Sequence, residues 1–479
     1  MIDRTVFFRR RERTRTVTVN VFGGGVNRET DQGILPPRFS YESYNFNVNT
    51  DALTDGEGVR ALTLPIAGDA PVLLPLGRHA KKCYFYKRYD KNAQKTDDRL
   101  LVYASDGKVY DAPLSGEKGF TVIPDVAFQS APVGVNYRYG DEDVYLLCGK
   151  DGKLVVYAGN GSPTVVVDSP YVTSMAVHGE RLFVTCVENP TLLRFSDDFD
   201  PTNWYVSLEE AGYVDFPDER GRLLSVQSFL GYLYAFREYG ITRLDAEGAQ
   251  SGFSASQLFV SSGRIYGDTV AVCGDRVVFL ASDGLYEFDG ITARQTLGGI
   301  APLFDRDNHD AVSGYAHGKY YLACRLKEEK GSVRAVLCYD VKNGNFYFMR
   351  GVDAIDFTVL KTSGVEELAI VLKDGTLAFR TDACTDLNGM GLEKIWRSAR
   401  TDFNVYGDRK RLEKLCFFSD GDVTVTVESE RGKRQFSVRG KSGLITLKPN
   451  VQGSVFRLSF SSNALGARIV RPVMTFRVG

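Results

Sequence analysis

The sequence predicts an all-β protein: a six- or seven-bladed β-propeller followed by a small C-terminal β-sandwich. Three observations predict it, namely a repeated hairpin phrase, no helical apolar stripe, and a different alternating pattern after residue 390. The phrase is an apolar strand, a tight polar turn and a strand rich in Tyr and Phe, and its clearest copy spans residues 277–290. Asp-Gly between the two runs favours a hairpin, because this turn needs positive φ and Gly adopts it without steric cost.

The phrase recurs roughly every 40 to 50 residues, a period typical of radial β-repeats in which no unit buries its apolar face alone. The first and last units are the least regular, so the sequence leaves six and seven blades open. The leading strands of the seven candidate units begin near residues 72, 133, 172, 223, 270, 312 and 355.

The chain divides into three predicted segments. Residues 1–65 are expected to form an N-terminal arm with a strand and a Gly-rich bend, residues 66–390 the propeller, and residues 391–479 the sandwich. The three glycines at 23–25 indicate a bend or a close backbone approach. A long loop insertion is expected at residues 196–221, and a loop of that length on a propeller face is typically a contact surface.

Composition excludes several classes of function. The formal net charge is −1, so no global field attracts nucleic acid. No apolar run approaches the ~18 residues that span a bilayer, and the first residues lack the apolar region of a secretory signal, so no membrane anchor is expected. The eight cysteines include no C-x-x-C pair and mostly lie in apolar strand runs, which favours reduced core thiols over disulfides.

No catalytic constellation is visible in the sequence. It has no zinc-helix histidine pair, nucleophile elbow, P-loop or dinucleotide fingerprint. The run from Asp305 starts like a calcium loop, but Asp310 stands where Gly is needed and Ala316 where a bidentate Glu belongs. The acidic run Asp197 to Asp200 is interpreted as local caps for a loop. We therefore predict a protein that is not an enzyme, with no catalytic residue, cofactor or metal.

The arginines near the N-terminus allow two interpretations. They either form an arm that docks on an acidic partner or nucleic acid, or a solvated strand edge whose charges discourage edge-to-edge pairing. Both interpretations stay open at this point. The residues concerned are Arg9, Arg10, Arg11, Arg13 and Arg15.

The phrase Ser-Asp-Asp-Phe-Asp-Pro-Thr-Asn-Trp at residues 196–204 resembles one found in bacteriophage structural proteins. Residues 20–27, 223–244 and 278–290 are similar to other segments of that family, the β-propeller tail hub, packaged-DNA-stabilisation and tail nozzle-like proteins. The resemblance implies a non-enzymatic structural subunit of the virion. It would form part of the tail hub or nozzle, or of the head-to-tail closure ring, by protein–protein contacts.

The same resemblance implies the partners and the location. The partners are the portal or connector and other tail proteins, with a homo-oligomeric ring, a hexamer being favoured, and non-specific contact with DNA that passes the channel. The location is the virion tail, and the host cytoplasm during assembly. The candidate interface residues are the five arginines together with Phe199, Trp204 and Tyr205.

An alternative function is a carbohydrate-binding or glycan-processing propeller with an accessory sandwich domain. The many tyrosines and the sandwich favour it, but the chain has only two tryptophans, Trp204 and Trp396, and sugar platforms favour Trp. A cellular scaffold of the kelch or WD type is a third option, and its Gly-Gly and Trp-Asp repeat patterns are missing from the repeats.

Overall fold

The structure, a computed structural model, forms two compact units. One comprises residues 1–58, 343–351 and 381–479, and the other residues 59–342 and 352–380. Four short 3-10 helices occur in the described part of the chain, at Gln32–Ile34, Gln250–Gly252, Gly267–Thr269 and Gly298–Leu303. The residues described are 13–19, 22–48, 51–62, 74–75, 77–91, 93–114, 119–208, 210–329, 331–362, 364–382, 385–405, 409–440 and 442–478.

Five strands precede the first blade, and two more form a small hairpin inside it. The five are β1 (Arg13–Thr18), β2 (Ser40–Tyr44), β3 (Phe46–Val48), β4 (Ala52–Asp55) and β5 (Gly58–Ala61). Blade one contains β6 (Ala80–Tyr86), the hairpin β7 (Tyr89–Asp90) and β8 (Lys95–Thr96), β9 (Arg99–Ala104), β10 (Lys108–Pro113) and β11 (Thr121–Ala127).

Blades two to five are four-stranded antiparallel sheets whose strands follow one another in chain order. Blades two and three are β12 (Val133–Tyr139), β13 (Glu142–Cys148), β14 (Leu154–Tyr157), β15 (Thr164–Val166), then β16 (Val172–His178), β17 (Arg181–Cys186), β18 (Leu192–Phe195), β19 (Gly212–Asp215). Blades four and five are β20 (Leu223–Phe229), β21 (Tyr232–Arg237), β22 (Gly240–Asp245), β23 (Ser254–Val260), then β24 (Ala271–Cys273), β25 (Arg276–Ala281), β26 (Gly284–Phe288), β27 (Ala293–Thr296).

Blades six and seven complete the propeller unit, so the described residues form seven blades. Blade six has β28 (Val312–Ala316), β29 (Lys319–Glu328) and β30 (Gly331–Asp340), while the next strand, β31 (Phe346–Met349), belongs to the other unit. Blade seven has β32 (Ala354–Thr362), β33 (Val365–Leu372) and β34 (Leu377–Thr381). Its fourth strand is β5, which comes from before blade one.

The ring closes through β5 and through the seam between blades seven and one. The Leu62 N–H just after β5 donates to the Leu377 carbonyl of β34 (2.9 Å), so the first and last parts of the repeat share one sheet. At the seam, Thr358 Oγ1 on β32 donates to the Cys83 carbonyl on β6 (2.6 Å). Opening the seam would break the Thr358–Cys83 hydrogen bond, and separating the two ends of the repeat would also require β5 to leave the sheet of blade seven.

Tyrosine side chains join neighbouring blades. Their rings pack between blades, and some of their hydroxyl groups donate to backbone carbonyls of the neighbouring blade. Tyr84 on β6 donates to the Pro132 carbonyl (2.6 Å), and Tyr320 on β29 donates to the Thr269 carbonyl (2.7 Å). A buried phenol needs such a partner, because an unpaired polar group inside costs free energy. These tyrosines therefore stabilise the contacts between blades.

The other unit is a sandwich of two antiparallel sheets. Its C-terminal strands are β37 (Lys394–Ser398), β38 (Lys410–Asp420), β39 (Val423–Ser429), β40 (Gly432–Val438), β41 (Gly443–Leu447), β42 (Val451–Gly453), β43 (Phe456–Ser462) and β44 (Arg468–Val478). One sheet has the order β3-β4-β44-β38-β41, with β1 on β44 and β42 on β38, and the other has the order β2-β37-β43-β39-β40. The short strands β35 (Asp386–Leu387) and β36 (Met390–Gly391) pair with each other and belong to neither of these sheets.

The two sheets pack face to face around an aromatic core. Phe417 of one sheet lies with its ring centroid 5.4 Å from that of Phe460 of the other. The Trp396 ring meets Phe22 edge to face at 5.2 Å. The predicted fold class, an all-β propeller followed by a C-terminal sandwich, is confirmed.

The N-terminal segment differs from a separate arm. Three of its strands pair with strands from the C-terminal segment, β1 and β4 with β44 and β2 with β37, and β3 extends the same sheet by pairing with β4. The physical reason is that these short strands bury Phe46 and Leu53 in the sandwich core, which an isolated arm cannot do. The predicted close approach at the Gly run is present, because a Cβ on Gly24 would lie 2.8 Å from the Arg38 carbonyl oxygen.

A buried carboxyl group lies at the closing seam. Asp356 Oδ2 on β32 accepts a hydrogen bond from the Cys83 N–H on β6 (2.9 Å). Burial raises the pKa of Asp356 to about 6, and the Lys82 ammonium group partly opposes this rise. The seam between blades three and four uses a neutral group in the same role, since Ser174 Oγ accepts from the Val226 N–H (3.1 Å).

We expect Asp356→Asn to stabilise the protein at pH 8 but not at pH 4. The folded pKa lies above the ~3.9 of an unfolded Asp, so the folded state holds this proton more tightly. This group therefore stabilises the fold less as pH rises from about 4 to about 6, and the loss is complete above that range. Asp356→Asn should therefore raise the free energy of unfolding at pH 8 by at most ~3 kcal/mol relative to the wild type. Urea unfolding of both proteins at each pH measures this difference.

The matched control is Ser174→Ala, which removes a neutral hydrogen bond from an equivalent seam. It should cost roughly 1 kcal/mol at both pH values, with no pH dependence of its own. An Asp356→Asn protein that is no more stable than the wild type at pH 8 would contradict the account of this seam.

Candidate functional site

A buried arginine organises the long loop of blade three. The loop, residues 196–211, joins β18 to β19, and Arg181 Nη1 donates to the carbonyls of Ser196 (3.1 Å) and Glu210 (2.9 Å) at its two ends. The same guanidinium lies 3.8 Å from the carboxylate of Asp197 and 3.6 Å from that of Asp198. Arg181 is only 5% exposed, so its several donors need these partners, and they tie the two ends of the loop together.

The acidic residues of the loop act as local caps, which agrees with their interpretation from the sequence. Asp200 Oδ1 accepts from the Thr202 backbone N–H (2.9 Å) and hydroxyl (2.6 Å). Asn203 Nδ2 donates to the carboxylates of Asp197 and Glu210, each at 3.2 Å. Partial burial, together with the adjacent carboxyl group, raises the pKa of Asp197. This network fixes the course of the loop before any partner binds.

Trp204 anchors the loop and is not part of the surface, which corrects its prediction as an interface residue. It is 5% exposed and packs in the core between blades two and three, beside Tyr137 and Val166. Its Nε1 donates to the Pro201 carbonyl (3.0 Å), and its own carbonyl accepts from Arg194 Nη2 (3.2 Å). The indole is the largest apolar group of the loop, so burying it stabilises the loop more than exposing it would.

The loop surface is the set of exposed apolar side chains on this anchored loop and on the start of β19, which follows it. Phe199 has a φ of 57°, and its backbone N–H donates to the Glu180 carbonyl (3.0 Å), so its ring is held away from the core. Two of the predicted interface residues, Phe199 and Tyr205, belong to this surface, whereas Val206, Leu208 and Tyr213 were missed. The members with their exposed fractions are Leu208 (85%), Tyr205 (72%), Phe199 (60%), Tyr213 (54%) and Val206 (50%).

The segment that carries the loop surface is acidic. Residues 133–215, which contain blades two and three, carry 13 acidic and 5 basic residues, a formal charge of −8 in a chain whose total is −1. Among them, Glu142 and Glu180 are exposed, and Glu142 lines a groove of about 550 Å³ together with Thr202 of the loop. Acidic residues therefore predominate in the segment that carries the loop surface.

A larger cleft of about 930 Å³ adjoins the loop between blades one, two and three. Phe199 and Tyr89 line it, together with Arg138, whose Nη1 lies 2.8 Å from the Asp143 carboxylate. Arg88, which also lines the cleft, is paired with Asp97 at 2.5 Å. These two arginines are thus paired with carboxylates, and the exposed rings of Tyr89 and Phe199 also line the cleft.

The predicted basic patch is only partly described. Arg9, Arg10 and Arg11 lie outside the described residues. Arg13 and Arg15 are exposed on β1, which pairs with β44. These two arginines therefore lie on a solvated strand, as one of the two interpretations from the sequence expects.

The other groups singled out in the sequence have structural partners. Asp310 accepts from Arg325 and Arg334, at 2.9 and 2.6 Å, and so forms an ion-paired turn. His178 Nδ1 lies 2.9 Å from Ser228 Oγ across the seam of blades three and four. Among the described residues, no group of three His, Cys, Asp or Glu side chains is placed to hold a metal ion. The seven described cysteines are free thiols.

In the described part of the chain, no helix is both long enough and apolar enough to cross a bilayer.

Comparison with known proteins gives likeness of fold alone. No family model and no curated protein sequence matches this chain. Two solved structures of BBS1N in complex with ARL6DN, one soaked with lead and one with mercury, are each 10% identical to it. The alignment with the first covers 68% of this chain and 96% of the BBS1N chain, with a TM-score of 0.44. The alignment with the second covers 71% of this chain and 97% of the BBS1N chain, with a TM-score of 0.43. The fold of this chain is established by its own sheets, and these structures carry no functional conclusion.

Two adjacent substitutions test the opposite roles of Trp204 and Tyr205. Trp204→Ala should lower the unfolding free energy by about 3–5 kcal/mol, because it leaves a cavity between two blades. Tyr205→Ala removes an exposed ring and should change stability by no more than ~0.5 kcal/mol. Urea unfolding followed by circular dichroism measures both values. Equal losses for the two variants would show that the indole is not the anchor.

Proposed function

We propose that this protein is a non-enzymatic structural subunit of a bacteriophage virion. It acts by protein–protein contact in the tail hub or nozzle, or in the head-to-tail closure ring, next to the portal or connector. The observation that carries the proposal is the loop surface, which has five exposed apolar side chains: four on the loop that is anchored by Trp204 and Arg181, and Tyr213 on the strand that follows it. The phage-like phrase at residues 196–204 forms this same loop.

Physical arguments support a contact role for the loop surface. Exposed aromatic and aliphatic side chains on a fixed backbone are typical anchors of protein interfaces. A loop whose hydrogen bonds are already made loses little conformational freedom when a partner binds, so more of the contact energy remains as affinity. A closed propeller also holds such a loop in a constant position, as a subunit of a stacked assembly requires.

Carbohydrate binding is the second candidate, and the cleft of about 930 Å³ favours it. Exposed Tyr89 and Phe199 line this cleft beside polar groups such as Asn136, a combination that sugars can stack on and hydrogen-bond to. Against it, both tryptophans are buried, Trp204 at 5% and Trp396 at 0% exposure, so neither indole presents a platform. A glycan array with the wild type and Tyr89→Ala tests this candidate, which requires specific binding that the substitution abolishes.

The virion role is tested by finding the protein in particles. Particles purified by density gradient from a culture that expresses this chain should contain it at a fixed ratio to the portal protein, measured by quantitative mass spectrometry. Cryo-electron microscopy of the same particles should show a seven-bladed unit in the tail. Particles that assemble and infect normally without the protein would refute the proposal.

A further inference from the structure

A groove of about 320 Å³ lies at the axis of the propeller unit, at the end where the first strands of the blades begin. Most of these first strands contact the first strand of the next blade, so they surround the axis. Thr173 at the start of β16, Leu223 at the start of β20 and Ala311 just before β28 line the groove. The loop surface lies at the other end of β16, where the Phe199 N–H donates to the Glu180 carbonyl. This axial groove is therefore separate from the loop surface.

Basic side chains predominate in the lining of the axial groove. Lys150, Arg222 and Arg264 line it, and Asp268 is the one acidic side chain among the described residues that do so. Lys150 is exposed and forms no hydrogen bond or ion pair with a described residue. A concave site lined mainly by charges of one sign concentrates ions of the opposite sign. The axial groove therefore favours an anion.

Glu238 holds the two arginines of the groove next to each other. Arg222 Nε and Nη2 donate to Glu238 Oε1 at 3.2 and 2.9 Å, and Arg264 Nη2 lies 3.1 Å from the same oxygen. Burial raises the pKa of Glu238, but the hydrogen bonds and charges of the arginines outweigh burial and lower it. Glu238 is therefore a carboxylate at neutral pH, and it fixes both guanidinium groups beside the groove.

The arginine pair keeps both charge and hydrogen-bond donors for a ligand. The three cations that line the groove face only two carboxylates, those of Glu238 and Asp268, so the site stays positive. Each guanidinium group has five N–H donors, and the contacts with Glu238 use only some of them. Because both groups contact one carboxylate oxygen, they lie close enough together for a single phosphate group to contact both.

We propose that the axial groove binds a small phosphorylated molecule, whose phosphate group is held by Arg222 and Arg264 while Lys150 supplies a third positive charge. The planar guanidinium fork matches the oxygens of a phosphate group, and such charge-assisted hydrogen bonds are strong. The volume of about 320 Å³ is at the lower end of the range of small-molecule sites and is too small to admit a nucleic acid duplex. This ligand site is independent of the proposed virion role.

Isothermal titration calorimetry of the full chain with sodium tripolyphosphate tests the proposal. The clamp variant, Arg222→Ala with Arg264→Ala, removes both guanidinium groups. The matched control is Lys433→Ala with Arg434→Ala, which removes the same charge at exposed positions on β40 of the other unit. A third variant, Asp268→Asn, removes the acidic side chain from the lining and leaves the arginines in place. Circular dichroism establishes that each variant is folded.

The wild type and the control should bind one tripolyphosphate per chain with equal affinity. The clamp variant should bind at least ~10-fold more weakly, because it loses charge-assisted hydrogen bonds to the phosphate group. Asp268→Asn should bind roughly 2- to 5-fold more tightly than the wild type, because a charge that repels the ligand is gone. Raising the salt concentration should weaken wild-type binding, because the charges are screened.

Three outcomes would overturn the proposal: a wild type that does not bind tripolyphosphate, a clamp variant that binds it as the wild type does, or an Asp268→Asn protein that binds it no more tightly. Binding of a short DNA duplex in place of tripolyphosphate would also overturn it. Asp268→Asn keeps the test decisive should the clamp variant fail to fold. The failure of the virion role is a separate result, since a protein absent from particles can still bind this ligand.

Discussion

The closure of the ring by β5 is the constraint on which the rest of the propeller depends. Each blade buries apolar residues against its neighbours, so a first and a last blade without a partner would expose the cluster that contains Cys83 and Leu360. Supplying the fourth strand of blade seven from before blade one joins the two ends of the repeat in one sheet. The loop of blade three benefits in turn, because Trp204 is wedged between two blades whose spacing closure fixes.

The seam between blades seven and one also contains a buried carboxyl group, that of Asp356. Asp356 is buried where the corresponding seam of blades three and four has Ser174, and both side chains accept a backbone N–H from the next blade. A serine makes this bond without a charge, whereas an aspartate makes it at the expense of desolvation. At this seam, stability is therefore coupled to pH through Asp356.

The sequence predicted the elements whose signals are local. Asp283-Gly284 and the alternating runs around it predict a hairpin, and β25 and β26 pair with Ala281 opposite Gly284. The propeller could also be predicted, because it is built from such local hairpins repeated along the chain. The place of β5 in blade seven and the place of β1 to β4 in the sandwich were beyond prediction, because each depends on pairing with strands more than 300 residues away.

The candidate site was predicted in part. The length and turn residues of the loop indicated a contact surface, and Phe199 and Tyr205 are indeed exposed. The prediction of Trp204 as an interface residue was wrong, because the sequence of a polar loop does not show whether a tryptophan ring in it points into the core or out to solvent. Leu208, beside two glutamates, was the available signal for the missed apolar residues, since an exposed leucine among acidic residues gains nothing from the fold itself.

Hydrogen exchange measured by mass spectrometry on the isolated protein tests the central claim, that a closed ring holds the loop in one conformation before any partner binds. The amides of Phe199, Thr202 and Ser207 donate to groups within the propeller unit. Peptides covering residues 196–211 should therefore exchange as slowly as those of the neighbouring strands β17 and β18. Complete exchange of these peptides within seconds, while the strands stay protected, would contradict the account.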